Sequence, residues 1–322
     1  MNKEKSVRKI QKYIFNCNKV YKQENFHLNK YLKFGKLDSI IESFNNTFEE
    51  KIGKDRKKYF NIHIKNLKID QVPGPCTISK KATSGTYMPL DNKITLYDKL
   101  NDSLDVSERL MHELLHMSSN KANGLVDGLS ITTINKKLHG TTGKGLNEGY
   151  TELINSRYFA MQEYYSAYRK EMILAAGIEK LVGKDLMLDA YFKYTLFDLL
   201  VELNNYADSE SDSLNIINRI DTLNMLEEYN EREKIFTDVK KDIISLQRKK
   251  LINDFITNKI DKEEFTRRNL FDIELYDKYN FIYDDYANMV DQGDRYMVMG
   301  NSGFFFVNKD NEQANAYMIQ KK

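Results

Sequence analysis

Cysteine, histidine and proline are scarce in this chain, which has two, five and three of them in 322 residues. Cys17 and Cys76 stand far apart and outside any CxxC pair, which excludes a disulfide framework and reads as two ordinary packed thiols. No apolar run reaches the roughly eighteen residues of a membrane helix, and no signal-peptide core follows the charged start Met1-Asn2-Lys3-Glu4-Lys5. Cytoplasm is therefore the expected compartment, with export without a cleaved signal left open. Neither charge sign dominates: 49 basic and 47 acidic side chains leave a net +2, so there is no electrostatic case for nucleic acid or a membrane surface as partner. Internal repeats and low-complexity tracts are absent too.

What remains is globular, with 41% hydrophobic beside 30% charged residues and length enough for one large domain or two modest ones. Apolar residues at helical spacing predict one helix around Val7, Ile10, Ile14 and Val20 and another over Leu37–Ile52. Phe60, Ile62 and Ile64 alternate with polar residues as a strand would, with His63 on the polar side; His27 falls in a polar stretch. Val72-Pro73-Gly74-Pro75 is expected as a turn or a boundary. Gly85–Tyr97 reads as a hairpin around Pro89-Leu90-Asp91-Asn92. Leu186–Leu203, with Tyr191, Tyr194, Phe197 and Leu200, is expected as one buried helix, and Asp208–Ser213 as a linker. Helices follow around Ile216–Ile220, Ile235–Ile244 and Leu251–Ile256, and Asp261 with Glu264 offers a capping box. Tyr296–Met299 and Phe304–Val307 form a terminal hairpin, with a third strand expected at Ala316–Ile319. The expected fold class is α+β, mainly helical, with a small antiparallel sheet packed on one central helix. Three regions are expected: 1–83 helical and β, 84–206 the core, and 207–322 helical and ending in the hairpin.

The central helix carries His112-Glu113-Leu114-Leu115-His116, an HExxH pattern within an apolar-periodic run capped by Ser103 or Asp105. Residues four apart on a helix share a face, so both imidazoles can reach one ion about 2.0–2.1 Å from each nitrogen. Glu113 lies one residue round from His112, near the ion without binding it, which suits a general base. Two imidazoles, a carboxylate and an open position are the usual catalytic zinc set, and zinc lowers the pKa of a bound water from 15.7 to roughly 7. A third histidine six residues after His116 is excluded, because Ser119 and Ala122 occupy the positions where that pattern needs Gly and His. A carboxylate ligand is expected downstream, in Asn147-Glu148-Gly149-Tyr150-Thr151-Glu152. There Asn147 is a good N-cap, and Glu148 and Glu152 stand one turn apart. One can bind the metal while the other accepts the spare ring N–H of a ligand histidine.

The two motifs together resemble the gluzincin, thermolysin-like zinc metallopeptidases, in which an HExxH helix is followed by a second helix whose Asn-Glu supplies the third ligand. The resemblance covers roughly residues 84–165. It implies a zincin-like catalytic core with Zn2+ held by His112, His116 and Glu148, Glu113 as general base, and Glu152 supporting a ligand histidine. The family more often has Asp at the support position, and the Gly-Ala-Met-Glu-Asn segment of its aminopeptidase branch is missing, so an endopeptidase acting on a peptide or protein substrate is implied. The strand ahead of the HExxH helix, Lys93–Tyr97, is then expected to be the sheet edge that takes up substrate backbone. His139 and Tyr158 are candidates for stabilising the oxyanion, whereas Tyr150 is expected to pack. Two other functions stay open: a repressor-cleaving or single-substrate intracellular metallopeptidase, for which no DNA-binding module is visible, and a non-catalytic zinc-stabilised interaction protein, which a fourth ligand such as His139 would favour. Oligomeric state is not legible.

Overall fold

Phe44, Phe48, Ile52 and Phe60 are buried side by side, and their spacing explains the first helices of the computed structural model. The model describes residues 26–27, 34–73, 76–78, 81–83, 85–98, 103–121, 124–134, 139–159, 168–280, 282, 289–291, 293, 295–300 and 303–308. The helix expected at Val7–Val20, Cys17 and the strand expected at Ala316–Ile319 lie outside these residues. Contacts divide the chain into two units, 1–279 and 280–322. The boundaries expected at 83/84 and 206/207 both fall inside the first.

In the first unit the short β1 (Phe26–His27) precedes α1 (Phe34–Thr47), which continues through a π turn, and α2 (Lys58–His63). The strand expected at Phe60–Ile64 is thus helical: Phe60 is buried but Ile62 is 53% exposed, so the alternation never defined a buried face. His63 keeps a structural place, its Nε2 3.1 Å from the Asn120 carbonyl. Next come β2 (Lys68–Pro73), β3 (Cys76–Ile78), β4 (Lys81–Thr83), β5 (Gly85–Met88) and β6 (Lys93–Asp98). The β5–β6 hairpin turns through Pro89–Asn92, where Asn92 takes the left-handed conformation at φ 44°. The sheet order is β1-β2-β6-β5, and β2 runs parallel to β6, which makes this sheet mixed rather than wholly antiparallel.

The HExxH helix, α3 (Ser103–Ser119), rests on β5 and β6. Leu110, Leu114, Leu115 and Met117 are fully buried along it. At about 1.5–3 kcal/mol each, their burial fixes the helix rotation and so the direction of its polar residues. The small sheet β7 (Val126–Asp127), β8 (Ser130–Ile134) and β9 (His139–Thr142) follows, then α4 (Lys144–Tyr158), which carries the second motif. His139 begins the last of these strands; its side chain is not among those described.

The remaining helices are α5 (Arg169–Val182), α6 (Lys184–Phe192), α7 (Leu196–Asn204), α8 (Glu210–Met225), α9 (Tyr229–Ile256), α10 (Lys262–Arg268) and α11 (Leu275–Tyr279). Helices α4, α5, α8 and α9 pack on one another. The single helix expected over Leu186–Leu203 is two, because Thr195 starts a new one: its hydroxyl accepts from Phe197 N–H, and Asp198 accepts from Thr195 N–H at 2.9 Å. Tyr194 and Phe197, expected in the core, are 50% and 66% exposed. The polar run at Asp208–Ser213 is the first turn of α8 rather than a linker, with Asp212 accepting from Ser209 N–H at 3.0 Å. Asp261 caps α10 by accepting from Glu264 N–H at 2.8 Å.

The second unit holds β10 (Met289–Asp291), β11 (Arg295–Gly300) and β12 (Gly303–Asn308) as an antiparallel sheet, with β11 and β12 closing a hairpin at Gly300 and Gly303. The architecture is mainly helical with small sheets, as an α+β chain. Among the described residues no helix is long and apolar enough to cross a membrane.

Candidate metal centre

The helix bearing Glu148 begins four residues earlier than a cap at Asn147 would have it. Gly143, in the left-handed region at φ 85°, precedes the first turn of α4. The N–H groups of that buried end are met from a distance: Asp221 of α8 accepts from Gly143 N–H and Gly145 N–H, both at 2.7 Å. Asn147 is thereby inside the helix. Its Oδ1 accepts from Leu129 N–H at 2.9 Å, and its Nδ2 lies 3.4 Å from His116 Nδ1.

The two motif helices bring three donor atoms to one point. His112 Nε2 and His116 Nε2 are 3.1 Å apart, and Glu148 Oε2 is 3.5 Å from the first and 3.4 Å from the second. Three atoms each about 2.0–2.1 Å from a tetrahedral ion are about 3.3–3.4 Å apart, so the spacing fits a metal ion and the residues form a group able to hold one. Behind the cluster, Glu152 Oε2 lies 2.9 Å from His112 Nδ1. Glu152 is 2% exposed, so this bond is made away from water.

Electrostatics point the same way. Burial would lower the pKa of His112, but the hydrogen bonds it donates to Glu148 and Glu152 outweigh it and leave it raised to about 9. His116 is raised well above its ordinary value; burial opposes this, and the charges of Glu148 and Asp127 prevail. Burial likewise opposes the fall at Glu148, which the two imidazoles hold far below the carboxylate range. Buried carboxylates must be compensated by positive charge. Here the imidazole pair, with both rings made more basic, answers that need in the place where one divalent cation would.

Glu113 is buried beside the cluster, and its carboxyl pKa is raised, chiefly by burial. The backbone of Tyr87 on β5 acts against this rise, more weakly than burial. A Cβ built on Gly85 would stand 2.8 Å from Glu113 Oε1, so glycine at this point of the strand makes room for the carboxylate. The edge of the sheet next to Glu113 is β5. The expectation for Lys93–Tyr97 is corrected by the pairing order: β6 is held between β2 and β5, because the parallel β2 occupies its other side.

Tyr158 is not at the centre. It follows Glu148 by ten residues, about 15 Å along α4, and its ring lies under Lys184 and Arg157. Tyr150 packs in the core, donating to Glu179 at 2.8 Å. Among the described residues, Tyr168, just before α5, does reach the cluster. Its ring stacks on His112 with centroids 6.1 Å apart and planes at 14°. The charge of Glu148 first, then burial and Glu113, push its hydroxyl pKa far up, so it stays a hydrogen-bond donor. Nothing in the sequence flagged Tyr168, Asp127 or Gly85: none stands at a fixed spacing from either motif.

No family model matches the chain, and neither a curated protein nor a solved structure matches it.

Proposed function

We propose that the protein is a zinc metallopeptidase of gluzincin type that hydrolyses a bond within a peptide or protein substrate. The observation that carries this reading is the mutual spacing of His112, His116 and Glu148 at 3.1–3.5 Å. A zinc ion held by these three would supply Lewis acidity, lowering the pKa of a water to about 7 and polarising the scissile carbonyl. Glu113 takes the proton from the attacking water and passes it to the leaving amine; its raised pKa suits a group that must both accept and release it. Tyr168 donates its O–H to the oxygen on which charge develops. The β5 edge orients an extended substrate by strand addition, since β5 ends the sheet order and its Gly85 lies against the Glu113 carboxylate. Glu152 keeps His112 in the tautomer whose Nε2 faces the ion.

The test pairs metal analysis with a peptide-library cleavage assay read by mass spectrometry. Glu113→Gln is expected to keep bound zinc and lose cleavage by a factor of about 10²–10⁴. His112→Ala is expected to lose both. A fully active Glu113→Gln protein would end the proposal.

A further inference from the structure

His116 presents Nε2 to the cluster, so in the metal-binding form its proton sits on Nδ1 and must be given to an acceptor. Two side chains stand at that nitrogen, Asn147 Nδ2 and Asp127 Oδ2, each at 3.4 Å. Asn147 cannot serve. Its amide oxygen is taken by Leu129 N–H at 2.9 Å, which turns its NH2 toward the ring, and a donor cannot satisfy an N–H.

We infer that Asp127 is the positioning residue of the second ligand histidine, accepting the Nδ1–H of His116 and so fixing the ring with Nε2 toward the ion. This role rests on the zinc reading of the cluster and extends it. Each ligand imidazole then has a carboxylate behind it, Glu152 for His112 and Asp127 for His116. One comes from α4 and the other from β7, a separate element.

Asp127 is held for this task from several sides. Its Oδ1 accepts from Ser119 Oγ at 3.1 Å, at the end of the helix that carries His116. The strand it sits on is tied back to that helix end by Lys121 N–H to the Val126 carbonyl at 2.8 Å and by Gly128 N–H to the Ser119 carbonyl at 3.1 Å. The Lys121 ammonium pins the same turn, donating to the carbonyls of Gly128, Ala190 and Tyr194. Gly128, in the left-handed region at φ 55°, leaves no room for a Cβ, which would stand 2.2 Å from Asn147 Oδ1. The turn, the amide and the carboxylate are thus fixed together against His116.

The experiment measures zinc affinity by competition with a chromogenic chelator for wild type, Asp127→Asn, Asp127→Ala and His112→Ala. It adds ¹⁵N-histidine NMR of the zinc-loaded proteins to read which ring nitrogen of His116 carries the proton. Loss of a group that supports a ligand histidine lowers metal affinity about 10–100-fold. That loss is expected for Asp127→Ala. Asp127→Asn keeps the shape and an acceptor oxygen, so it reports on the role even if alanine fails to fold, and its affinity is expected to fall between wild type and Asp127→Ala. Wild-type spectra are expected to show the His116 proton on Nδ1, with its low-field signal shifted or lost in Asp127→Ala. A purely structural role for Asp127 would leave that signal unmoved in any variant that folds. Wild-type affinity and an unchanged His116 signal in both Asp127 variants, with His112→Ala impaired, would overturn the role of Asp127 alone. Wild type and His112→Ala binding zinc equally poorly would overturn the zinc reading and this role with it.

Discussion

Gly149→Ala tests whether the crossing of α4 and α5 is what sets the third donor in place. A Cβ at this position would lie 2.4 Å from both the carbonyl carbon and oxygen of Glu171 and 2.9 Å from Met172 N. These are backbone atoms and cannot rotate aside, so relief requires the two helices to part by about 1 Å at the residue next to Glu148. Overpacking costs about 1–3 kcal/mol, and contact with main chain belongs at the upper end of that range. Alanine returns about 1 kcal/mol in helix propensity, leaving a net loss of about 2 kcal/mol. With a urea slope of about 3 kcal/mol/M for a unit of this size, the unfolding midpoint of the metal-free protein should fall by about 0.7 M. Coordination tolerates only about 0.2 Å in ligand position, so zinc affinity, read by chelator competition, should drop at least about tenfold. Gly140→Ala is the control: nothing lies within 4 Å of the added carbon, and both measurements should stay at wild-type values. A Gly149→Ala protein that unfolds at or above the wild-type midpoint would refute the claim that the helices meet at this contact.

Three more outcomes follow from the same geometry. Asp221→Ala removes the carboxylate that caps α4 from α8 and should cost about 1–2 kcal/mol by urea unfolding, with weakened zinc binding as the first turn frays. Tyr168→Phe keeps the ring on His112 but loses the hydroxyl, so turnover in the peptide assay should fall about 10²–10³-fold with zinc content unchanged. In the metal-free protein His112 titrates at about 9, above the ordinary value of 6.5. Its contribution to stability is therefore complete below pH 6.5 and lost as pH rises through about 9. The urea midpoint should decline across that window in the wild type and decline less in His112→Ala. Zinc must displace the same protons, so its affinity should rise over this window, with proton release at pH 7 measurable by calorimetry in buffers of different ionisation enthalpy.

What the sequence made legible was local. The HExxH helix and the Glu148–Glu152 pair rest on spacings of four within one helix, and a period of 3.6 residues turns such spacings directly into geometry. What it hid was set by elements far apart in the chain. β6 was expected as a sheet edge on resemblance alone, as the strand just ahead of the HExxH helix, while the strand that covers its other side, β2, lies across a long connection and pairs in parallel. Tyr194 and Phe197 looked like core because a stripe of aromatics says nothing of the break that Thr195 and Asp198 put through it.

Asn147 shows how such a misreading and the design of the centre have a single cause. Its type and position suit an N-cap, yet the end of α4 is capped by Asp221, more than seventy residues downstream. Because the cap comes from α8, the helix starts earlier and Asn147 moves into its first turns, where its side chain is free of the backbone next to it. The freed amide grips Leu129 N–H. That bond docks the Gly128 turn, and with it Asp127, against His116, and it leaves Asp127 as the acceptor for the Nδ1 proton. A capping carboxylate on one helix thus decides which side chain on another element orients a ligand. It follows that Asp221→Ala and Asp127→Ala should be coupled in zinc affinity, the double variant losing less than the product of the two single losses, although no contact joins the two carboxylates.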